Sequence, residues 1–404
     1  MATVPALNQS PTAATPFSLR NRALVYTGFT ATGVSLALPG ALMPWLLVHW
    51  ALQDSQAGLL LFLFFIGGTS GALLTRGALR WSVVRGAACT ALGAAWLPFA
   101  TRHTAYAAIL LYGLGLGITM TSISLLQARR FVADCAAEMT RLNLLWAIGA
   151  CCGPWLILHD GLLDGAHARY VLLAIALGFG LFALLSAAFE SDAPAQPDST
   201  EPSTQRSTKR SWMLASPWPL LLLVFCITGV ESSSGSWLAT YSQRGGHSLG
   251  ITIGAPTCFW AGLLISRLLH SSSRVSSAAR RFLLTWNIVL MAAALGSLIV
   301  FHASPVMLTA AFVIGFTAGP MYPLLLALVL EHDTGPAVFV LAGLGSAALP
   351  FLTGTLSTSA GSLRTGLLVP TAAALAMVLA GWLTANKSRT SHGKPYQPRE
   401  ISLE

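Results

Sequence analysis

Stretches of about 20 apolar residues with hardly a charge recur from Arg22 to Ala385, and as helices each is long enough to cross a hydrocarbon core of about 30 Å. In that solvent every backbone N–H and C=O must find its partner inside the protein, which leaves helices and closed β-barrels as the spanning structures. A barrel would need short segments that alternate apolar and polar residues, whereas these runs are continuous. Charged residues make up only 9% of the chain, against about 25% in a soluble domain. The sequence therefore predicts an all-α polytopic membrane protein.

Cutting the apolar windows at charge and Pro/Gly clusters predicts twelve transmembrane helices, at 22–50, 56–79, 83–101, 104–127, 139–159, 168–190, 217–242, 248–270, 280–301, 305–331, 335–358 and 364–386. Between the sixth and seventh stands SDAPAQPDSTEPSTQRSTKRS, Ser191 to Ser211, whose composition can bury almost nothing. The predicted organisation is a tail at 1–21, a six-helix bundle at 22–190, a linker at 191–216, a second six-helix bundle at 217–386 and a tail at 387–404. The opening MATVPALNQSPTAATP has no basic n-region or short apolar h-region, so the first span is expected to serve as the targeting signal.

Of the 23 Lys and Arg residues, nineteen fall on one side of this arrangement, and only Arg102, Arg169, Arg244 and Arg364 on the other. The positive-inside rule then places both termini and the linker in the cytoplasm, with the chain in a cell membrane, the inner membrane if it is bacterial. The net charge of +9 is scattered through short loops, which speaks for topology and against a nucleic acid partner. The expected partners are the lipid bilayer, a small-molecule solute and, where transport is coupled, protons; a monomer is expected. The six cysteines lie in or beside apolar runs without zinc or disulfide spacing, and read as packing residues. GLGLG at 113–117 sits inside an apolar run with no preceding strand, so a nucleotide loop has no support. EHD at 331–333 reads as a solvated loop, and no cofactor or metal is expected.

The two halves echo each other. GALLTR, from Gly71 to Arg76, follows the second span, and GLLISR, from Gly262 to Arg267, follows the eighth, 191 residues later (71 to 262). Gly149 and Pro154 in the fifth span are matched by Gly345 and Pro350 in the eleventh, 196 residues later (154 to 350). Helix bundles repeated about an axis along the membrane normal are a transporter plan, with substrate held between the halves near the midplane.

In their order along the chain, several segments resemble the major facilitator superfamily. GALLTRGALR is similar to its loop signature after the second helix, although Thr75 stands where Asp is usual. LNLLWAIGACCGPWL, from Leu142 to Leu156, is similar to the fifth-helix pattern of the fucose permease-like branch of sugar:proton symporters. GVESSSGSWLATY resembles that branch's seventh helix, and AGPMYPLLLALV and GLGSAALPFLTGTLS its tenth and eleventh. The resemblance implies a twelve-helix sugar carrier driven by protons. Members of that branch carry acids in the first and fourth helices, whereas this chain has Gly40 and its neighbours, and Ile118 or Thr119, in their place.

Glu231 is the one unambiguous mid-span acid. A carboxylate at a helix centre costs about 2.5–3.5 kcal/mol on insertion scales, so it is expected to face a cavity on a substrate or proton path; the plainer alternative is a neutral acid bonded to a neighbouring helix. Trp237 and Tyr241 follow 6 and 10 residues later and are expected on the pocket wall. The small-residue run Ser232 to Ser236 either thins the helix beside the site or lets helices approach closely. Thr119, Thr121, Ser122, Ser124 and Gln127 form a polar stripe in the fourth span. Asn143 and Trp146 in the fifth, Asn287 in the ninth and Tyr322 in the tenth are further candidates for binding substrate or coupling protons. Trp260 and Trp286 read equally well as lipid or core contacts. Gly71, Arg76, Gly149, Gly153, Pro154, Gly262, Arg267 and Pro350 are the candidates for gating and close packing.

These features predict a secondary transporter for a small polar solute, a sugar or sugar-like compound, working by alternating access, with Glu231 carrying the proton where there is one. A drug or metabolite efflux carrier, an uncoupled facilitator and a non-transporting membrane sensor stand as alternatives. No nucleophile, metal cluster or paired carboxylates appear inside the spans, so an enzyme is not expected.

Overall fold

The computed structural model describes residues 19–131, 134–157, 165–188, 218–271, 277–330 and 337–391. The predicted linker at 191–216, EHD at 331–333 and most of both tails lie outside the described residues. The first half comprises α1 (Leu19–His49), α2 (Asp54–Leu74), α3 (Leu79–Trp96), α4 (Thr104–Arg130), α5 (Cys135–Cys152) and α6 (Gly165–Ala187). Tight 3-10 turns, Leu97–Phe99 and Gly153–Ile157, prolong α3 and α5. The second half comprises α7 (Trp218–Arg244), α8 (Leu249–Ser271), α9 (Ser277–Val300), α10 (Ser304–Ala318), α11 (Met321–Leu330), α12 (Ala337–Ala360), α13 (Leu363–Gly366) and α14 (Leu368–Ser391). Helices α10 and α11 make one crossing interrupted at Gly319 and Pro320, and α13 with α14 makes the last, which gives the twelve crossings predicted.

Ten crossings are long and apolar enough to span a membrane on length and composition alone. The remaining two, α3 and α5, carry Arg80 and Arg85, and Glu138 and Arg141, in their first two turns. Those charges are tied to the protein. Arg80 donates to the Ala187 carbonyl at the end of α6. Glu138, 1% exposed, accepts from the Tyr26 hydroxyl at 2.5 Å and from Arg141 at 3.2 Å, with Arg22 at 3.7 Å. This network joins α1 to α5 on the side that carries the termini.

Each half is assembled through the same backbone contacts. A methyl group on Gly71 of α2 would strike the Leu114 carbonyl of α4, and one on Gly149 of α5 the Thr30 carbonyl of α1. In the second half Gly262 of α8 faces the Phe312 carbonyl of α10, and Gly345 of α12 the Phe225 carbonyl of α7. A methyl group on Gly153 would lie 3.0 Å from the Ala37 Cβ of α1. Lipid tails are as apolar as leucine, so such close backbone approach supplies the dispersion that binds helices in a membrane.

Two prolines select their own neighbours. Pro39 in α1 and Pro350 in α12 each remove a helical hydrogen bond and free the carbonyl four residues back. Tyr112 of α4 donates to the freed Ser35 carbonyl at 3.1 Å, and Ser232 of α7 to the freed Ser346 carbonyl at 2.9 Å. Away from water such carbonyls need a partner, so these bonds hold α4 on α1 and α7 on α12.

Candidate substrate site

A cavity of about 410 Å³ lies between the halves, walled by α1, α2, α4 and α5 on one side and α7, α8, α11 and α12 on the other. It begins at Gly40 and Ser236, about 12–14 Å below the far ends of α1 and α7 at 1.5 Å per residue. From there it extends toward the side that carries the termini, where its lining residues Leu73, Asn143 and Phe339 are exposed. The opposite side is closed. There Arg244, at the end of α7, grips Asp54, at the start of α2, through two hydrogen bonds of 2.6 and 2.7 Å. The Ser357 hydroxyl of α12 adds a third at 2.5 Å, and the Ser55 amide donates to Thr358 at 2.8 Å. Asp54 is 7% exposed, and the fork of two parallel N–H···O bonds is the strong form of an Arg–carboxylate pair.

Of the candidates read from sequence, Glu231, Asn143, Trp146, Tyr322 and Arg267 line this one cavity. Arg267, read from the sequence as a gating and packing candidate near the end of the span 248–270, stands in the cavity wall on α8. Trp237 and Tyr241 stand outside it. At 100° per residue they point about 120° and 80° away from Glu231, both to the same side. Trp237 is fully buried and donates to the Pro350 carbonyl at 3.0 Å; the Tyr241 hydroxyl donates to the Leu298 carbonyl at 2.5 Å.

On α4 the stripe divides. Thr119 bonds the Gly115 carbonyl and packs against Gly86 of α3, and Ser122 and Gln127 are likewise buried away from the cavity. Thr121 alone of that stripe reaches it, stacked below Gly113 and Gly117 at successive turns. Asn287 is 8% exposed on α9, with its amide nitrogen unbonded, and does not line the cavity. Among the gating candidates, Arg76 is exposed in the turn after α2, and Pro154 lies in the closed seam beside Ala41, Ala239 and Pro256.

Several residues of the site carry no clear mark in the sequence. Thr69, Thr228 and Ser346 add hydroxyls, and Phe64, Phe65 and Phe339 add rings. The Asp54–Arg244 pair had one available signal: an acid and a base, each at the same-side end of a predicted span. Gly40, where the resembling family carries acid, has no room for a side chain. A Cβ there would meet the Gly235 carbonyl and lie 2.7 Å from the Ser236 Cα.

Glu231 and Arg267 face the cavity from adjacent helices of the same half. Neither forms a hydrogen bond or ion pair with another described residue. Arg267 instead rests over the Trp146 ring, 5.1 Å from its centre, and Trp146 meets Trp260 edge-on at 5.7 Å.

Two pseudo-equivalent six-helix halves around a central cavity, closed on one side, define a polytopic membrane protein with a transporter fold. The chain belongs to the Major Facilitator Superfamily, whose family model matches residues 23–337. In sequence, no curated protein matches it. Among solved structures it is similar to the nucleoside transporter NupG, with a TM-score of 0.69 and 14% identity over 91% of this chain and 98% of that one. A bacterial homologue of the human lysosomal transporter Spinster, inward-facing and occupied, gives 0.63 and 16% identity over 94% and 99%. A bacterial homologue of the human drug peptide transporters PepT1 and PepT2 gives 0.63 and 14% over 92% and 99%.

Proposed function

We propose that the protein is a secondary transporter that carries a small polar solute, a sugar or similar polyhydroxylated compound, across the cell membrane by alternating access. The observation that carries this reading is the cavity itself: about 410 Å³, within the roughly 300–1,000 Å³ of small-molecule sites. It combines an unpaired carboxylate with hydroxyl groups and aromatic rings. Rings suit the faces of a sugar, and Glu231, Thr69, Ser232 and Asn143 suit its hydroxyls. That NupG is a nucleoside transporter is in keeping with a hydroxylated cargo. With the termini in the cytoplasm, the orientation that the nineteen-to-four distribution of basic residues favours, the cavity faces inward and the Asp54–Arg244 pair closes the outer side.

Glu231 is the group proposed to carry a coupled proton, since Gly40 and its neighbours, and Ile118 or Thr119, offer no acid where the resembling branch has them. Uptake of radiolabelled sugars into proteoliposomes tests this, with wild type and Glu231→Gln compared in an inward-directed proton gradient. Wild type is expected to accumulate sugar and the variant only to equilibrate it. Identical behaviour of the two would sink the coupling role, and no flux above empty vesicles would sink the sugar reading.

A further inference from the structure

One corner of the cavity holds more hydrogen-bond donors than the protein gives acceptors. Arg267 lies over the Trp146 ring and Trp146 abuts Trp260, so three donor-bearing side chains adjoin. Arg267 Nε, Trp146 Nε1 and Trp260 Nε1 are all buried without an acceptor, and the two tryptophans are only 6% and 3% exposed. Buried donors are seldom left unbonded, and a guanidinium in an apolar wall is costlier still. Water can satisfy the indoles but cannot neutralise the charge. Glu231 does not bond Arg267, and because α7 and α8 belong to the same half, rocking of the halves leaves their separation unchanged.

We propose that this corner binds a carboxylate of the transported solute, so that the cargo is a polyhydroxylated carboxylate rather than a neutral sugar; the proposal rests on the transport reading above. The planar guanidinium offers a carboxylate two parallel bonds, and the indole N–H groups stand ready beside it. A doubly charged phosphate fits less well, because Arg267 is the sole cation among the lining residues and Glu231 repels a second negative charge. Trp146 comes from the first half, and Arg267 and Trp260 from the second. A carboxylate held by all three is bound in one arrangement of the halves and not in the other, the unequal affinity by which a ligand shifts a conformational equilibrium. The hydroxylated remainder of the solute then lies toward Glu231 and Ser232.

Isothermal titration calorimetry of the full-length protein in detergent tests this with matched pairs: glucuronate against glucose, galacturonate against galactose, gluconate against sorbitol. At least one acid is expected to bind ten-fold or more tightly than its neutral partner. Arg267→Gln is expected to bring that pair to parity. Trp260→Phe, which keeps the ring and removes the N–H, is expected to narrow the acid's advantage over its neutral partner several-fold, and it serves where the arginine variant fails to fold. Neutral partners that bind as tightly as their acids would overturn this proposal and leave the sugar reading standing. A preference for acids that survives both substitutions would overturn the assignment to this corner. Silence across all pairs would overturn the proposal and the sugar reading together.

Discussion

Removing one charge from the closed seam should open it by a predictable factor. Asp54 accepts two bonds from Arg244 and one from Ser357, at 2.6, 2.7 and 2.5 Å. Asp54→Asn keeps the shape and discards the charge. Truncating one partner of a fully buried pair costs about 3–5 kcal/mol, but the Arg244 side chain is 44% exposed and regains hydration, which brings the expected loss to about 2 kcal/mol. At about 1.4 kcal/mol per factor of ten, the open population rises about thirty-fold. The backbone contact between Gly354 and the Asp54 carbonyl and the Ser55–Thr358 bond are untouched, so the seam is weakened and not abolished.

Ala239 reports on that population, being 3% exposed and set in the seam beside Ala41, Pro154 and Pro256. With the six native cysteines replaced, Ala239→Cys should react with a membrane-impermeant maleimide, added on the face opposite the termini, about thirty-fold faster when Asp54→Asn is also present. Arg244→Gln should accelerate it similarly, and the double variant little further, since each removes the same pair. Unchanged labelling, or effects of the two substitutions that multiply, would refute the idea that this pair holds the seam closed.

Trp237→Phe removes the bond to the Pro350 carbonyl at a cost of about 1 kcal/mol, and should lower the thermal midpoint by a few degrees while leaving solute affinity in the same preparation unchanged. Gly40→Ala forces a methyl onto the Gly235 carbonyl and should cost about 1–3 kcal/mol, visible as a lower midpoint; a midpoint equal to wild type would mean the helices part there without penalty.

The crossings were legible because a membrane fixes their length, and the repeat because the glycines that bring backbones together recur at matching positions, Gly149 with Gly345 and Gly71 with Gly262. Which face of each helix meets the cavity was less so. Thr119 and Thr121 differ by two residues and about 200° of rotation, yet in sequence both are hydroxyls in one stripe; the glycines below Thr121 were the better guide. Trp237 looked like a pocket residue because it is aromatic and close to Glu231 in the chain, whereas its indole answers a need created by packing against Pro350. Arg267 falls inside the predicted span 248–270, but three residues from its end it reads as a gating or packing residue, and only the tertiary fold turns it into cavity wall. Asp54 and Arg244 are 190 residues apart, so their pairing waits on the tertiary fold.

The contact of Gly40 with Gly235 has a mechanical consequence. The two residues are 195 apart (40 to 235) and His49 and Arg244, which end α1 and α7, are also 195 apart (49 to 244), so each half offers the same point to the other, close to the axis that relates them. A seesaw pivoting there has unequal arms: about 14 Å from Gly235 to Arg244 and about 26 Å from Gly235 to Trp218. A gap of about 4 Å at the Asp54–Arg244 end then corresponds to nearly twice that travel at the termini-bearing end. Leverage of this kind lets one short-range clasp govern the wide mouth of the cavity at the opposite face.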